Sequence, residues 1–489
     1  MQEKKIQKQA FWFTVINYLG MGIGVISTIF IYPHNKEFLG MLRFVDAIAQ
    51  VLFPIMVFGT SQALINFYPS VSEKNQSKLF KYGIFTILLI GFFLLIVLFF
   101  GDKLLSIKNY HFVFYAFPLA LALAFIELFK RQSINLHKVA VPTFYEKILP
   151  KIALPTIFLL LLSGYLEVIS ALIAFILSYF VIFLLLGMYL FRNYRVDLNF
   201  NFKPFFAEIT RKEYYRYSSY AFLGSFGSLF AFRIDALMIP QFLSFEANGT
   251  FSIGVALAAA IGIPAIGIFT IYAPLVSNYV KENNFSELKK KYVETAKLLF
   301  FIGALLYGAI LLGIDSLFQL VPTYENLVDS IPVILVLGAN VLFNMATGFN
   351  SEIISYSKFY RFNILSILIL IVLNVGLNLY FLLYTNLGIV GVAIASLIAM
   401  TTFNVIKLTY IKKKFGMLPF DKGSLKLFFI MLLLLAVLYT IPSFSNNWVN
   451  LVVKVGGYIL LAAVLTYKLK LVYSFNYFAE AFLGKIKDK

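Results

Sequence analysis

Long apolar runs, each closed by a short polar cluster, set the pattern of this chain. Unbroken runs such as 84–100 and 364–373 lack the strict alternation of a half-buried strand. The roughly 10-residue alternating segments of a membrane β-barrel are also missing. A bilayer core about 30 Å thick takes roughly 20 apolar residues as helix. On that measure the pattern predicts an all-α polytopic membrane protein with about fourteen transmembrane helices. They fall at 11–31, 42–67, 79–100, 112–129, 142–162, 166–190, 214–240, 250–276, 292–314, 331–349, 362–384, 387–410, 425–441 and 449–467. The first apolar segment is longer than a signal-peptide core and ends without a small-residue cleavage site, so it reads as a retained helix.

Composition agrees with the pattern. The 489 residues are 61% hydrophobic and only 13% charged, and mean hydropathy is +0.85. A soluble protein of this length needs more charged surface. The chain has no cysteine and three scattered histidines, His34, His111 and His137, so thiol and disulfide chemistry are excluded and no ligand spacing points to a metal.

The net charge of +18 changes the picture through its distribution. About 35 of the 41 basic residues fall on one side of the alternating loops. They run from Lys4, Lys5 and Lys8 to the lysines of the C-terminal tail, and include Lys147, Lys151 and Lys407. The other side holds Lys36, Arg43, Lys103, Lys108 and Lys454. The basic side is expected to be cytoplasmic, with both termini there. The basic surplus is a topology signal that also suits anionic membrane lipids, and nucleic acid is not an expected partner. The outer loops are short.

A faint repeat relates 66–81 to 277–291. Each stretch leaves the membrane with a tyrosine, an acidic or asparagine turn, then serine, leucine and lysines. The offset of about 210 residues equals six helices, which preserves orientation and predicts parallel repeats. The expected division is 1–213, 214–424, and 425–489 for two further helices and a tail.

Ionisable groups in hydrocarbon are costly and default to functional candidates. Arg43, Asp46, Gln50, Pro54 and Ser61 fall on one stripe of the second segment. That stripe is expected to face an internal water-filled cavity; the alternative is an Arg43–Asp46 ion pair snorkelling at the headgroups. In the seventh segment Ala221, Gly224, Ser228, Ala231 and Asp235 share a stripe of small residues suited to close packing. Arg233 lies about 200° away, with Phe222, Phe226 and Leu229. Either Arg233 faces the cavity and Asp235 pairs with a neighbouring helix, or the reverse. Arginine is the better phosphate ligand. Glu127, Lys130 and Arg131 have the spacing of an ordinary intrahelical ion pair at a membrane exit. Gly262, Pro264, Gly267 and Pro274 in the eighth segment, and Gly20, Gly22 and Gly24 in the first, permit bends or close packing. Asn374 and Asn378 read as interhelical hydrogen-bond glue. No Walker A, GxSxG or HExxH motif is present.

Three stretches carry a resemblance. They are 59–69 (GTSQALINFYP), 233–239 (RIDALMI) followed by 249–252 (GTFS), and 374–379 (NVGLNL) followed by 387–395 (LGIVGVAIA). Together they resemble the Wzx-type oligosaccharide flippases of the multidrug/oligosaccharidyl-lipid/polysaccharide exporter superfamily. The resemblance implies two six-helix lobes around a central cavity, two added C-terminal helices, alternating access and no enzymatic activity. Its implied substrate is a polyprenyl-pyrophosphate-linked oligosaccharide for surface polysaccharide such as O-antigen of lipopolysaccharide. Implied partners are the pathway's polymerase and glycosyltransferases. Arg233, Arg43, Gln50, Gln62 and Asn17 are the candidate cavity residues. Asp46, Asp235 and Glu127 are candidates for coupling to H+ or Na+, with no other cofactor expected. The alternatives are a lipid II flippase, a cation-coupled drug exporter and, from another class, a membrane glycosyltransferase or polymerase. The first would bring more arginines in helices 1, 2 and 8, of which helices 1 and 8 here have none, and the last a large outer loop.

Overall fold

The computed structural model describes residues 19–104, 108–194, 196 and 199–487. Every described regular element is helical. Eleven helices are long and apolar enough to cross a membrane, or twelve when a bent pair counts as one span. Two further predicted segments appear as the shorter apolar helix α1 (Leu19–Phe30) and as α6 (Ala140–Leu162). The chain is therefore a multi-span membrane protein, and each predicted segment coincides with helix among the described residues.

Contacts divide the chain into two compact units, Met1–Ser252 and Ile253–Lys489. The first contains α1, α2 (Lys36–Val57), α3 (Thr60–Phe67), α4 (Glu73–Leu104), α5 (Phe112–Asn135), α6, α7 (Val168–Asn193), α8 (Lys203–Glu208) and α9 (Arg211–Phe242). The helix α10 (Phe245–Ala260) begins in it. Asn35 caps α2 by accepting from Phe38 N, and Thr210 caps α9 by accepting from Glu213 N, each satisfying a donor that a helix start leaves orphaned. α2 packs between α5 and α9, and α7 packs on α5 and α6. The α2 side chains Phe38, Leu39, Leu42 and Val45 are fully buried. Phe158 of α6 meets Phe38 and Tyr32, with ring centroids 5.0 and 4.8 Å apart. By contrast α4 turns Phe92, Phe93 and Val97 outward, each more than half exposed, as a lipid-facing helix does.

The predicted second span is not one helix. Phe58 and Gly59 take left-handed φ values of 45° and 72° and separate α2 from α3. Phe58 N still donates to Pro54 O and so closes α2. The stripe drawn through Arg43, Asp46, Gln50, Pro54 and Ser61 thus ends at Pro54. Ser61 belongs to α3 and is fully buried. A second correction concerns lysines counted as loop residues. Lys147 and Lys151 lie within α6, and Lys407 lies within α17 (Gly388–Phe415).

In the second unit α10 ends and α11 (Ile263–Lys281) continues, with a bend of 50° between them. Then come α12 (Phe285–Phe318), α13 (Tyr324–Leu327), α14 (Ile331–Ala346), α15 (Asn350–Tyr356), α16 (Arg361–Tyr384) and α17. They are followed by α18 (Lys422–Thr440), α19 (Asn447–Asn450), α20 (Gly457–Lys468) and α21 (Tyr473–Lys487). Six residues, Leu451–Gly456, widen to π-helix and join α19 to α20. α12 packs on α11, α14, α18 and α20, and α17 packs on α14, α15 and α16. Tyr292, Phe349 and Ile353 are fully buried in one hydrophobic cluster of this unit. Tyr458 donates to Ala304 O at 2.9 Å across the α12–α20 contact. Asn378 donates to Asn374 Oδ1 at 3.4 Å within α16, both side chains buried. Each unit repeats one order: a broken helix (α2/α3, α10/α11), a turn, then a long helix (α4, α12).

Candidate functional site

The polar candidates of the first unit gather around α2. Asp46 is 7% exposed. Its Oδ2 lies 3.7 Å from Arg233 Nη1 on α9, and its Oδ1 accepts from Gln50 Nε2 at 3.4 Å, one turn along. The partner of Asp46 is therefore Arg233, where the alternative reading had Arg43. Arg43 instead exerts its field on Tyr32, on Lys151 of α6 and on Tyr179 of α7. Tyr179 also lies in the fields of Asp46, Arg233 and Glu146. Asp235, on the other side of α9, has a partner of its own.

Two small cavities adjoin this group and share Phe53 and Glu127. One, of about 220 Å3, is lined by Pro54, Gln62, Glu127, Arg131, Phe222, Ser225 and Leu229 among others. The other, of about 130 Å3, is lined by Gln50, Glu127, Glu146 and Tyr179 with apolar neighbours. Gln62 of α3 donates to Ser225 Oγ at 3.0 Å, while its Oε1 is buried without a protein partner. A buried acceptor left unmet is costly and suits a water or ligand donor. Phe222 lines the larger cavity and stacks on Phe58 at 5.1 Å. The aromatic side of α9 therefore faces α2.

Glu127 accepts from Arg131 Nε at 2.7 Å, the predicted intrahelical pair. Lys130 reaches across to Glu146 of α6 at 2.7 Å, and Lys147 lies 3.4 Å from the same carboxylate. The group thus holds three carboxylates, Asp46, Glu127 and Glu146, against Arg43, Lys130, Arg131, Lys147, Lys151 and Arg233. Cations exceed carboxylates, and Arg131 lines the larger cavity, where a guanidinium can grip an anionic, hydrogen-bonding ligand. Sequence reasoning missed Arg131, Glu146, Lys151 and Tyr179 as members. Glu146, Lys147 and Lys151 sit inside the predicted fifth span, and that placement was the available signal. Asn17 lies outside the described residues. No metal-binding group of histidine, aspartate or glutamate occurs among the described residues.

No protein-family model and no curated protein sequence matches the chain. Solved structures do. A lipid II flippase, MurJ, in an inward closed conformation is similar over 93% of this chain and 98% of its own, with TM-score 0.69 and 14% identity. An inward-facing multidrug resistance MATE family transporter of the MOP superfamily is similar over 82% and 94%, with TM-score 0.63 and 16% identity. A MOP superfamily transporter from Pyrococcus furiosus, described by a reversed polarity of its binding pocket, is similar over 83% and 95%, with TM-score 0.57 and 16% identity. The chain has the fold of these membrane transporters.

Proposed function

We propose that this protein is a flippase that moves a polyprenyl-pyrophosphate-linked oligosaccharide from the inner to the outer leaflet of a bacterial inner membrane. The observation that carries this reading is the excess of cations around Asp46 and Arg233, beside open cavities inside a membrane unit. A pyrophosphate and its sugars cannot cross hydrocarbon bare, since burying unpaired charge and unmet hydroxyls is prohibitive. Arg233, Arg43 and Arg131 are assigned to the pyrophosphate, and Gln50, Gln62 and Tyr179 to the sugar hydroxyls. Alternating access is the assigned mechanism, with H+ or Na+ as coupling ion and Asp46, Glu127 and Asp235 as the carboxylates for it. The termini are placed in the cytoplasm by the basic bias of the loops. The pathway's polymerase and glycosyltransferases are the assigned partners.

A second reading, transport of lipid II, is favoured by the reach of the MurJ likeness over 93% of the chain. The two are separated by reconstituting the protein into vesicles with either lipid and following exposure of the headgroup to an impermeant reagent. Protein-dependent flipping of the oligosaccharide lipid is expected. Flipping of lipid II alone would favour the second reading, and export of an organic cation with no lipid flipping would overturn both.

A further inference from the structure

The helix α21 begins where the span α20 ends, and the turn between them fixes its start. α20 stops at Lys468 and α21 starts at Tyr473. In the turn Lys470 takes φ 48°. Leu469 N donates to Leu465 O, and Leu471 N donates to Thr466 O. Carbonyls at the end of α20 are met and the chain changes direction, as a left-handed cap allows. Asn476, which is 7% exposed, donates from Nδ2 to Tyr467 O at 2.8 Å. The first turn of α21 is thereby tied to the last turn of α20.

One side of α21 packs inward. Val472 is buried in one cluster with Phe301 of α12 and Leu427 of α18, and the Phe475 ring lies 4.9 Å from that of Phe301. Lys297, one turn before Phe301, donates to Asp421 at the start of α18 at 2.8 Å. Beyond Lys297, α12 is apolar over 298–314 except for Tyr307 and its glycines. The ion pair therefore marks the level at which α12 leaves the apolar layer, and α21 starts beside it. The other side carries Tyr473, Tyr477 and Phe478, which are 71%, 62% and 70% exposed. At helical spacing these three fall within an arc of about 140°, opposite Val472, Phe475 and Asn476. Lys468 and Lys470 are exposed in the turn. Over 468–489 the sequence has five lysines against Glu480 and Asp488. Large rings at the edge of a span, flanked by lysines, match an anionic bilayer surface. A second copy would set one lysine-rich face against another, which like charges oppose.

We propose that α21 is an in-plane interfacial helix that binds anionic phospholipid at the lysine-rich end of α20. Tyr473, Tyr477 and Phe478 sit at the boundary between headgroups and acyl chains, where a ring can bury its body and keep a polar tip wet. Lys468 and Lys470 take the lipid phosphates as point charges. The inward side stays on α12 and α20, so the bound lipid surface holds the ends of these spans at one depth. The site is independent of the flippase reading.

The chain has no cysteine, so Tyr477→Cys places one fluorescent label on the exposed face of the full-length protein. The protein is reconstituted into phosphatidylcholine vesicles containing increasing phosphatidylglycerol, with iodide on both sides. Lys290→Cys, two turns before Lys297 on α12, is the water-exposed control. The label at 477 is expected to be quenched by nitroxide lipids at a depth of about 5–10 Å. It is expected to be shielded from iodide relative to the control, and more so as phosphatidylglycerol increases. Lys468→Gln and Lys470→Asn are each expected to raise the phosphatidylglycerol fraction giving half of this shielding by about fivefold. Three results would overturn the proposal: equal iodide quenching at 477 and 290, shielding that follows protein density in place of phosphatidylglycerol, or shielding unmoved by both lysine substitutions. The second result would assign the aromatic face to another copy of the chain. No transport substrate is needed, so failure here leaves the flippase reading untouched.

Discussion

Arg233 on α9 lies 3.7 Å from Asp46 on α2, and this pair ties two helices that both contribute residues to the larger cavity, Phe53 and Pro54 from α2 and Phe222 and Ser225 from α9. Asp46 is the more buried partner, with 10% of its side chain exposed against 37% for Arg233. The two substitutions should therefore differ. Arg233→Gln leaves a buried carboxylate without its cation, whereas Asp46→Asn leaves a guanidinium that can reach water. Arg233→Gln is expected to cost about 1–2 kcal/mol, discounted for the exposure of the arginine. Asp46→Asn is expected to cost less. Thermal unfolding of the two variants and the double variant in one detergent reads the order. Equal losses that add in the double variant would show that the pair is not coupled.

The start of α2 crosses the start of α10 at backbone distance. A Cβ on Gly40 would lie 1.7 Å from Phe245 O, and one on Gly249 would lie 1.9 Å from Lys36 O. Asn248 donates to Gly40 O at 2.8 Å in the same crossing. No rotamer relieves such overlap, so the backbones must part. Gly40→Ala and Gly249→Ala are each expected to destabilise by about 1–3 kcal/mol. Gly22→Ala, where a Cβ meets nothing within 4 Å, is the control. An unfolding temperature for Gly40→Ala equal to that of the control would contradict the crossing.

Acid sensitivity is expected at Glu208. Its carboxylate accepts from Ser72 Oγ at 2.6 Å, Ser72 N at 2.7 Å and Asn75 Nδ2 at 2.6 Å. The Ser72 hydroxyl, then the Ser72 amide, hold its pKa below the usual carboxylate range. A group with a lowered folded pKa stabilises fully above its unfolded value, about 4.3 for glutamate. That contribution is lost as pH falls through the folded value. The tether from α8 to the start of α4 should therefore weaken below about pH 4.3. Proteolysis within 194–210 as a function of pH is the readout. Glu208→Gln is expected to remove the acid dependence, and an unchanged acid limb in that variant would assign it elsewhere.

The cap of α18 offers a local test. Asp421 accepts from Ser424 N at 2.7 Å, Asp421 N donates back to Ser424 Oγ at 3.3 Å, and Lys297 of α12 donates to the carboxylate at 2.8 Å. Asp421→Ala removes a capping box and is expected to cost about 1 kcal/mol. Asp421→Asn should recover most of that, because the amide oxygen still caps. Equal losses for alanine and asparagine would move the effect from the cap to the Lys297 ion pair.

The helices were legible because each membrane span writes itself as an apolar run bounded by polar residues. Breaks inside those runs were not. The α2/α3 break turns on the left-handed pair Phe58 and Gly59, a phenylalanine with no turn signature and one glycine inside an apolar run. The α14/α15 break turns on Gly348, one glycine among many. Loop counting of lysines gave the orientation expectation, yet it treats every lysine as a loop marker. Lys147, Lys151 and Lys407 lie inside helices, Lys147 beside Glu146 of its own helix and Lys407 bonded to Ser351 of α15, and the tally had no term for them. The Asp46–Arg233 pair joins residues far apart in the chain, so helix-face geometry left either α9 charge open to the cavity. Only packing chose between Arg43 and Arg233 as the partner of Asp46.

The most direct measurement compares binding of a polyprenyl pyrophosphate, the matching monophosphate and the uncharged alcohol to wild type, Arg233→Gln and Arg131→Gln. Wild type is expected to prefer the pyrophosphate over the alcohol by at least about tenfold, with most of that preference lost in both variants. Equal binding of all three lipids by wild type, or an undiminished pyrophosphate preference in both variants, would contradict a headgroup site at the Asp46–Arg233 cluster.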